Sequence, residues 1–394
     1  MGFCAHCNNK LVNVIDLKKI PIVNNFSNLN HKKFKTKLSI CKNCKLFQHE
    51  KILDKKIIFN DDYPYISSTS NNLVKHFKKI LNGIKLKNKN FFLEIGSNDG
   101  SFLKNLKKKN IKHLGVDPSK IACKKAREKG LNIINDFFSF NLSKKILKKY
   151  GKVDCIFSAN TLAHVENLND VLKGIDLLLS EKGELYMENI YLKSLLKNNL
   201  FDQLYHEHIY TYSIESINNI FSKYNLYINK INFNNMQGGS FLIKLTRKNK
   251  NVKLIKRVIA NEKNNKLFLK KKRNSINKNI QNKLKNLILF IKNKKLKKVN
   301  LTGYGASAKT VMLINLLGLT KKDIHFIVDN TKKKQNKFLP GTDIPVVAPK
   351  ENKHYLGQYC IIFSWNFAKE IISKEKNKNP KTKWVIPFPR IYTI

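Results

Sequence analysis

The feature that most constrains this chain is the run Phe91-Phe92-Leu93-Glu94-Ile95 passing directly into Gly96-Ser97-Asn98-Asp99-Gly100. A short, almost wholly apolar run of this kind reads as a strand buried on both faces. Glycines just beyond it let the chain turn with positive φ and let a ligand approach the backbone. Such a turn marks the carboxyl edge of a first strand in a doubly wound α/β sheet, the edge where ligands sit. Further strands are expected at 113–117, 132–135, 153–159 and 184–190, separated by helix-length segments. Segments 226–233 and 240–246, with Gly238-Gly239 between them, read as an adjacent pair. The expectation is a mostly parallel sheet with a reversed edge strand.

The 394 residues divide by texture into four regions. Residues 1–68 show little helical periodicity and hold four of the cysteines. Residues 69–246 carry the α/β pattern. Residues 247–298 are rich in Lys and Asn, with Leu284, Leu287, Ile288 and Ile291 at helical intervals, and read as a helical linker. Residues 299–394 restart the α/β pattern, with strands at 299–302, 324–328 and 359–363 and a helix at 306–317. Gly341, Pro345 and Pro349 read there as punctuating a loop.

Cys4-x-x-Cys7 is followed, after 33 intervening residues, by Cys41-x-x-Cys44. Each pair brings two thiolates to one ion from a tight turn, and two such turns complete a tetrahedral zinc site. A closed four-thiolate shell leaves no open position, so the expected role is structural. Seven cysteines are too few for a disulfide scaffold in a chain of this length, which points to a reducing compartment and an expected cytoplasmic location. No apolar run of about 18 residues suggests a membrane span, and no secretory leader is visible at Met1-Gly2-Phe3-Cys4.

The formal net charge of +49 invites a nucleic-acid partner. Against this, only 5 of the 76 basic residues are Arg (127, 247, 257, 273 and 390). Arginine supplies the planar fork on which base and phosphate readers rely. Lysine here accompanies abundant Asn and Ile, whose codons are AT-rich, so the excess reads as nucleotide composition spread over solvated faces. No specific nucleic acid and no membrane is expected as a partner.

Residues that carry chemistry follow the expected strands in order. Asp117 stands 23 residues after Glu94, at the end of the second strand, where a carboxylate accepts from two ribose hydroxyls. Asp136-Phe137 follows the third strand and Ser158-Ala159-Asn160 the fourth. The spacing Gly96-x-x-x-Gly100 is not the dinucleotide pattern G-x-G-x-x-G. It resembles the first motif of class I S-adenosylmethionine (SAM)-dependent methyltransferases. In that pattern Glu94, Gly96, Asn98, Gly100, Asp117 and Asn160 border the cofactor, Asp136 accepts from the adenine amino group and Phe137 stacks on the ring. His164 follows the fourth strand and reads either as a helix-cap residue or as a site residue. Beyond the fifth strand come Tyr205-His206-Glu207-His208, then Tyr210 and Tyr212, expected on the same edge as the cofactor. Histidine takes a proton near neutral pH, and a neighbouring carboxylate raises its basicity. His206 and His208 are one residue apart, unlike the pair in His-Glu-x-x-His, so metal is their weaker reading.

Together these motifs resemble the sugar-nucleotide C-methyltransferase family. The resemblance includes the four cysteines, Tyr63-Pro64-Tyr65-Ile66-Ser67-Ser68, the segments 94–100, 115–119, 160–165 and 205–208, and Gln237-Gly238-Gly239-Ser240, where the family commonly has His at the first position. It extends to Gly303-Tyr304-Gly305-Ala306-Ser307-Ala308-Lys309 and Trp365-Asn366-Phe367-Ala368-Lys369-Glu370-Ile371. It implies a Rossmann-like class I methyltransferase domain flanked by a small four-cysteine zinc domain and a C-terminal α/β domain. It implies SAM and structural Zn²⁺ as cofactors and a monomer acting on a nucleotide-linked keto-deoxysugar, in deoxysugar or surface-polysaccharide biosynthesis. The implied chemistry is C-methylation: a base removes a proton beside a ketone, hydrogen-bond donors stabilise the enolate, and its carbon takes the methyl group. In family terms His208 is the expected base, with Glu207 orienting or activating it. Tyr205 and His164 are relay or oxyanion candidates, His206 belongs to the same cluster, and Tyr65 (or Tyr63) reaches in from the zinc domain. Gly303, Tyr304, Gly305 and Lys309 are expected to help hold the nucleotide sugar, with Lys309 neutralising its diphosphate. The competing readings are O- or N-methylation of a nucleotide sugar, RNA methylation, and a non-catalytic module that keeps the fold.

Overall fold

The structure, a computed structural model, describes residues 2–26, 31–58, 64–87, 90–350 and 355–394; Tyr63 lies outside them. The chain divides into two compact units. The first comprises Met1–Val12, Ile40–Lys193 and Ile209–Asn264; the second comprises Asn13–Ser39, Ser194–His208 and Asn265–Ile394. Three strands open the chain: β1 (Leu11–Ile20), β2 (Phe34–Cys41) and β3 (Phe47–His49). The division between units falls within β1 and β2.

The first unit is built on β4 (Phe91–Ile95), β5 (Lys112–Asp117), β6 (Ile133–Asn135), β7 (Val153–Ala159) and β8 (Leu179–Ile190). It continues through β9 (Tyr210–Thr211), β10 (Tyr227–Asn234) and β11 (Ser240–Thr246). Its seven-stranded sheet runs β10-β11-β8-β7-β4-β5-β6. Strands β4 to β8 are mutually parallel, and β11 and β10 close the sheet antiparallel. The short β9 pairs antiparallel with β3, Phe47 opposite Thr211.

Every residue of β4 is buried, because both faces of the sheet are covered. One face presents Phe92, Phe157 and Tyr186, and the other Leu93, Ile156, Leu185 and Met187. The helix Asn71–Asn82 starts where the Ser70 side chain accepts from the Leu73 amide, and it buries Leu73, Phe77, Ile80 and Leu81. Phe77 meets the rings of Phe102 and Phe157 edge-on at 6.2 and 5.9 Å. Each such buried side chain contributes about 1.5–3 kcal/mol. This helix therefore belongs to the core beneath the carboxyl edge of β4, and residues 64–70 lead into it along that edge.

The second unit holds β12 (Leu301–Tyr304), β13 (Ile327–Val328), β14 (Lys337–Phe338), β15 (Pro345–Val347), β16 (Tyr359–Ile362), β17 (Lys383–Ile386) and β18 (Tyr392–Thr393). The order is β14-β15-β13-β12-β16-β17-β18, parallel at the centre with antiparallel edges. The helix Ala308–Leu317 is buried at every position from Lys309 to Leu317. In the helix Lys270–Leu296 a single stripe is buried: Ile276, Ile280, Leu287 and Ile291. A separate helix, Val252–Glu262, lies in the first unit. No helix among the described residues is long and apolar enough to cross a membrane.

The structure adds strands where the sequence showed none. Segment 341–349, read as a loop, contains β15, whose Pro345 stands at the first position of the strand, where a missing N–H is tolerated. Strands of two to four residues such as β13, β14 and β18 are too short to display alternation.

Candidate active site

In the N-terminal segment the four cysteine sulfurs lie within 4.8 Å of one another. Cys4 Sγ is 3.6 Å from Cys44 Sγ, and Cys7 Sγ is 3.4 Å from Cys41 Sγ. These separations are far beyond a disulfide and near the roughly 3.8 Å edge of a tetrahedron with Zn–S bonds of about 2.3 Å. The two turns are built alike. Asn8 and Lys45, each directly after the second cysteine of its pair, take positive φ of 54° and 63°. The Asn43 amide donates to Cys41 Sγ and Asn9 Nδ2 to Cys7 Sγ, as donors do around thiolates. Crowding sets the thiols apart: bonds from Cys4 and Cys44 hold Cys41 low, while Cys44 is pushed up. The donor set fits one structural zinc.

The glycine turn after β4 is shaped for close approach. Gly96 has φ +76°, and a Cβ there would lie 2.0 Å from Thr161 Oγ1; at Gly100, φ +75°, it would lie 2.1 Å from Leu131 Cδ1. Asn98 sits between them at φ 48° and works as a latch. Its Oδ1 accepts from the Ser67 amide at 2.8 Å, and its Nδ2 donates to the Tyr65 carbonyl at 3.2 Å. The Tyr65–Ser67 backbone is thereby held against the turn, while the Tyr65 ring stays exposed. Asp117, at the end of β5, accepts from the Asn98 amide through Oδ2 and from the Ser119 amide through Oδ1, both at 2.9 Å. Burial lifts its pKa to about 6 against the pull of those two donors. Glu94 is buried, and its Oε2 has no hydrogen-bond partner among the described residues. Burial first, then the charges of Asp117 and Asp99, push its carboxyl well up. An orphaned buried acceptor beside a turn that only glycine can make is what a bound ligand with donors would complete.

Asp136 is exposed and bonds its own neighbour, the Phe137 amide, while its amide donates to the Asp117 carbonyl. Phe137 lies 4.6 Å beneath the Lys55 ammonium. Asn160 takes φ 54° and donates from its amide to the Glu188 carbonyl at 2.7 Å; the His164 amide closes a turn onto Thr161. Sequence reasoning missed a further pair on this edge. His76 Nε2 donates to both oxygens of Glu188, at 2.7 and 2.9 Å, and Asn234 adds a third bond to that carboxylate. The three residues come from the helix Asn71–Asn82, β8 and β10, so no local motif announces them.

The segment 205–208 belongs to the second unit. His208 Nδ1 is 2.6 Å from the Gln203 carbonyl, so it carries the proton and donates. Nε2, left as the acceptor, receives a hydrogen bond from the Tyr205 hydroxyl at 3.0 Å, with the two rings 4.1 Å apart. The backbone thus sets the histidine tautomer and aims a hydroxyl at its basic nitrogen. Glu207 is buried, and Asn24 Nδ2 donates to both its oxygens at 2.8 Å. His206 donates from Nε2 to the Lys35 carbonyl, and burial lowers its pKa.

At the C-terminal turn, expected to help hold the nucleotide sugar, several backbone amides have partners inside the domain. Gly303 and Gly305 amides donate to the Phe326 and Val328 carbonyls, and the Ala306 amide to Asp329 Oδ2 at 2.7 Å. Ser307 and Thr310 cap each other. These amides are therefore engaged inside the domain. Tyr304 is a core residue, its hydroxyl donating to buried Glu375 at 2.9 Å. Lys309 is itself buried, 4.7 Å over the Trp365 ring.

Parallel strands ending in a glycine turn, with acids closing β4 and β5, define a class I SAM-dependent methyltransferase. Comparison with known proteins agrees along the chain. Family models described as a zinc binding domain, a methyltransferase domain and a C-methyltransferase C-terminal domain match residues 4–59, 72–231 and 235–389. The C-methyltransferase NovU of Streptomyces niveus is 25% identical over 358 residues, covering 89% of this chain and 85% of that protein. A solved SAM-dependent methyltransferase from Archaeoglobus fulgidus is 14% identical over 49% of this chain and 99% of its own, with TM-score 0.38. One from Anabaena variabilis ATCC 29413 is 14% identical over 45% and 84%, with TM-score 0.36. The chain is a SAM-dependent C-methyltransferase in which a zinc domain precedes the methyltransferase sheet and a second α/β domain follows it.

Proposed function

We propose that this enzyme methylates a carbon beside the ketone of a nucleotide-linked keto-deoxysugar, in deoxysugar or surface-polysaccharide biosynthesis. The observation that carries the reading is the Tyr205–His208 pair with its tautomer set by Gln203. Carbon, unlike oxygen or nitrogen, has no lone pair to offer a methyl donor, so a C-methyltransferase needs a base of this kind. Tyr205 takes the proton from the carbon while passing its own to His208 Nε2, and the imidazolium keeps its Nδ1–H on the Gln203 carbonyl. The C–H electron pair becomes the enolate, and His208 returns its proton to solvent after turnover. Glu94 and Asp117 would hold the amino-acid and ribose ends of SAM, with Asp136 and Phe137 at its adenine; when bound, SAM supplies the electrophilic methyl group that the enolate carbon takes. Asn98 orders the turn and brings the Tyr65 backbone to it. His164 and the His76–Glu188 pair are candidates to face the substrate from the methyltransferase sheet.

Hydrogen exchange in D₂O on a nucleotide keto-sugar tests the base. Wild-type protein should exchange the hydrogen beside the ketone. His208→Ala should bind SAM as wild type does and lose exchange and turnover by about 10²–10⁴-fold. Near-wild-type rates in that variant would remove His208 from the mechanism.

A further inference from the structure

Resting on that reading, we infer that the buried cluster Lys309–Trp365–Asp202 is a positioning device for the Tyr205–His208 pair rather than an anion site. It joins two motifs of the C-terminal domain, the glycine-turn helix and the segment 365–371, to the loop that carries the base. Trp365 Nε1 donates to Asp202 Oδ2 at 2.7 Å. Lys309 Nζ lies 4.7 Å over the face of the same indole and 3.4 Å from Asn366 Oδ1. Asp202 is 0% exposed, and its Oδ1 has no hydrogen-bond partner among the described residues. A carboxylate so placed needs a cation nearby, and the Lys309 charge is the leading influence that opposes the effect of burial on it. The same carboxylate favours the charged form of Lys309, which burial disfavours.

What this cluster holds decides its role. Asp202 is the middle residue of the 3-10 turn Phe201–Gln203. The next carbonyl along, that of Gln203, is the one that receives His208 Nδ1–H. Phe201 packs edge-on against Phe388 at 5.5 Å, and Trp365 lies 6.1 Å from the same ring. The turn is therefore clamped by a charge on one side and by aromatic rings on the other. If Asp202 moves, the Gln203 carbonyl moves with it, and the imidazole loses the bond that fixes its tautomer. A buried lysine stacked over the indole that holds a buried carboxylate is poorly placed to hold a diphosphate. It is well placed to hold this turn.

The test uses full-length protein with ¹⁵N-labelled histidine and three variants, none at a residue placed in the reaction itself. In Lys309→Met the buried carboxylate loses the stronger of the two lysine charges, Lys309 and Lys283, that favour its ionised form. The His208 Nδ1–H resonance should broaden or vanish, and kcat should fall at least about tenfold while SAM affinity stays unchanged. In Asp202→Asn/Lys309→Met both charges are gone and the Trp365 bond can persist. Resonance and kcat should then return to within about threefold of wild type, a non-additivity expected of coupled groups. Asp202→Ala, which also removes the acceptor for Trp365, should lose the resonance without rescue. An unchanged His208 resonance in Lys309→Met and Asp202→Ala overturns the inference, as does a double variant no better than the worse single. The resonance needs no substrate, so this outcome is separate from that of the exchange experiment on His208→Ala.

Discussion

In the proposed SAM site, Asp117 shows how burial would set a binding property. Its carboxyl is raised from the ordinary 3.8 to about 6. A folded value above the unfolded one means that the unliganded fold gains most with Asp117 protonated. That contribution is full below the unfolded value and is lost as pH rises through about 6, an effect on the order of 3 kcal/mol. Two ribose hydroxyls, by contrast, need the ionised carboxylate. SAM binding should therefore tighten as pH rises through about 6 and weaken by up to about tenfold per unit below it. Calorimetric titration over about pH 5–8 reads this, and Asp117→Asn should bind more weakly and lose the transition centred near 6; a flat wild-type profile would contradict the role. The positions of Glu94 near the end of β4 and Asp117 at the end of β5 were legible because each strand contains a recognisable apolar run. Asn24, Asp202 and His76 were not: their partners Glu207, Trp365 and Glu188 lie 183, 163 and 112 residues away, and no local pattern encodes such pairs. The Tyr304–Glu375 bond was hidden for a related reason, since a tyrosine beside a glycine turn looks the same in sequence whatever its hydroxyl meets.

At the scale of elements, the central strands were legible and the edges were not. Strands β4, β5 and β7 carry short apolar runs and are buried at most positions, because both faces of the sheet are covered. Strands β1 and β2 mix exposed and buried positions irregularly, so their composition resembles that of a loop. The zinc turns were readable for a different reason: ligand geometry demands both the spacing and the residue type. Their dependence on metal can be measured. Zinc binding is folding free energy for such a segment, about 10–16 kcal/mol in apparent terms for small finger peptides. Cys41→Ser should reduce bound zinc well below one per chain and lower the melting temperature. A stoichiometric zinc content in that variant, or none in the wild type, would contradict a four-thiolate site.

For the whole molecule, the charge of +49 is the most conspicuous property and the least informative about chemistry. Among the described residues Lys309 is the one buried lysine; the others reach solvent, many along the helix Lys270–Leu296. We propose that the chemistry lies instead in a glycine turn, the acids Glu94 and Asp117 and a tyrosine–histidine pair, carried by a three-part chain that the family models match in order. The most direct measurement is to incubate the zinc-loaded protein with SAM and a panel of nucleotide-linked keto-deoxysugars, and to locate the new methyl group by mass spectrometry and NMR. The account predicts one added methyl, bonded to the carbon beside the ketone, with loss of one hydrogen from that carbon. A methyl group on oxygen or nitrogen, or methyl transfer to RNA with none to any sugar nucleotide, would contradict it.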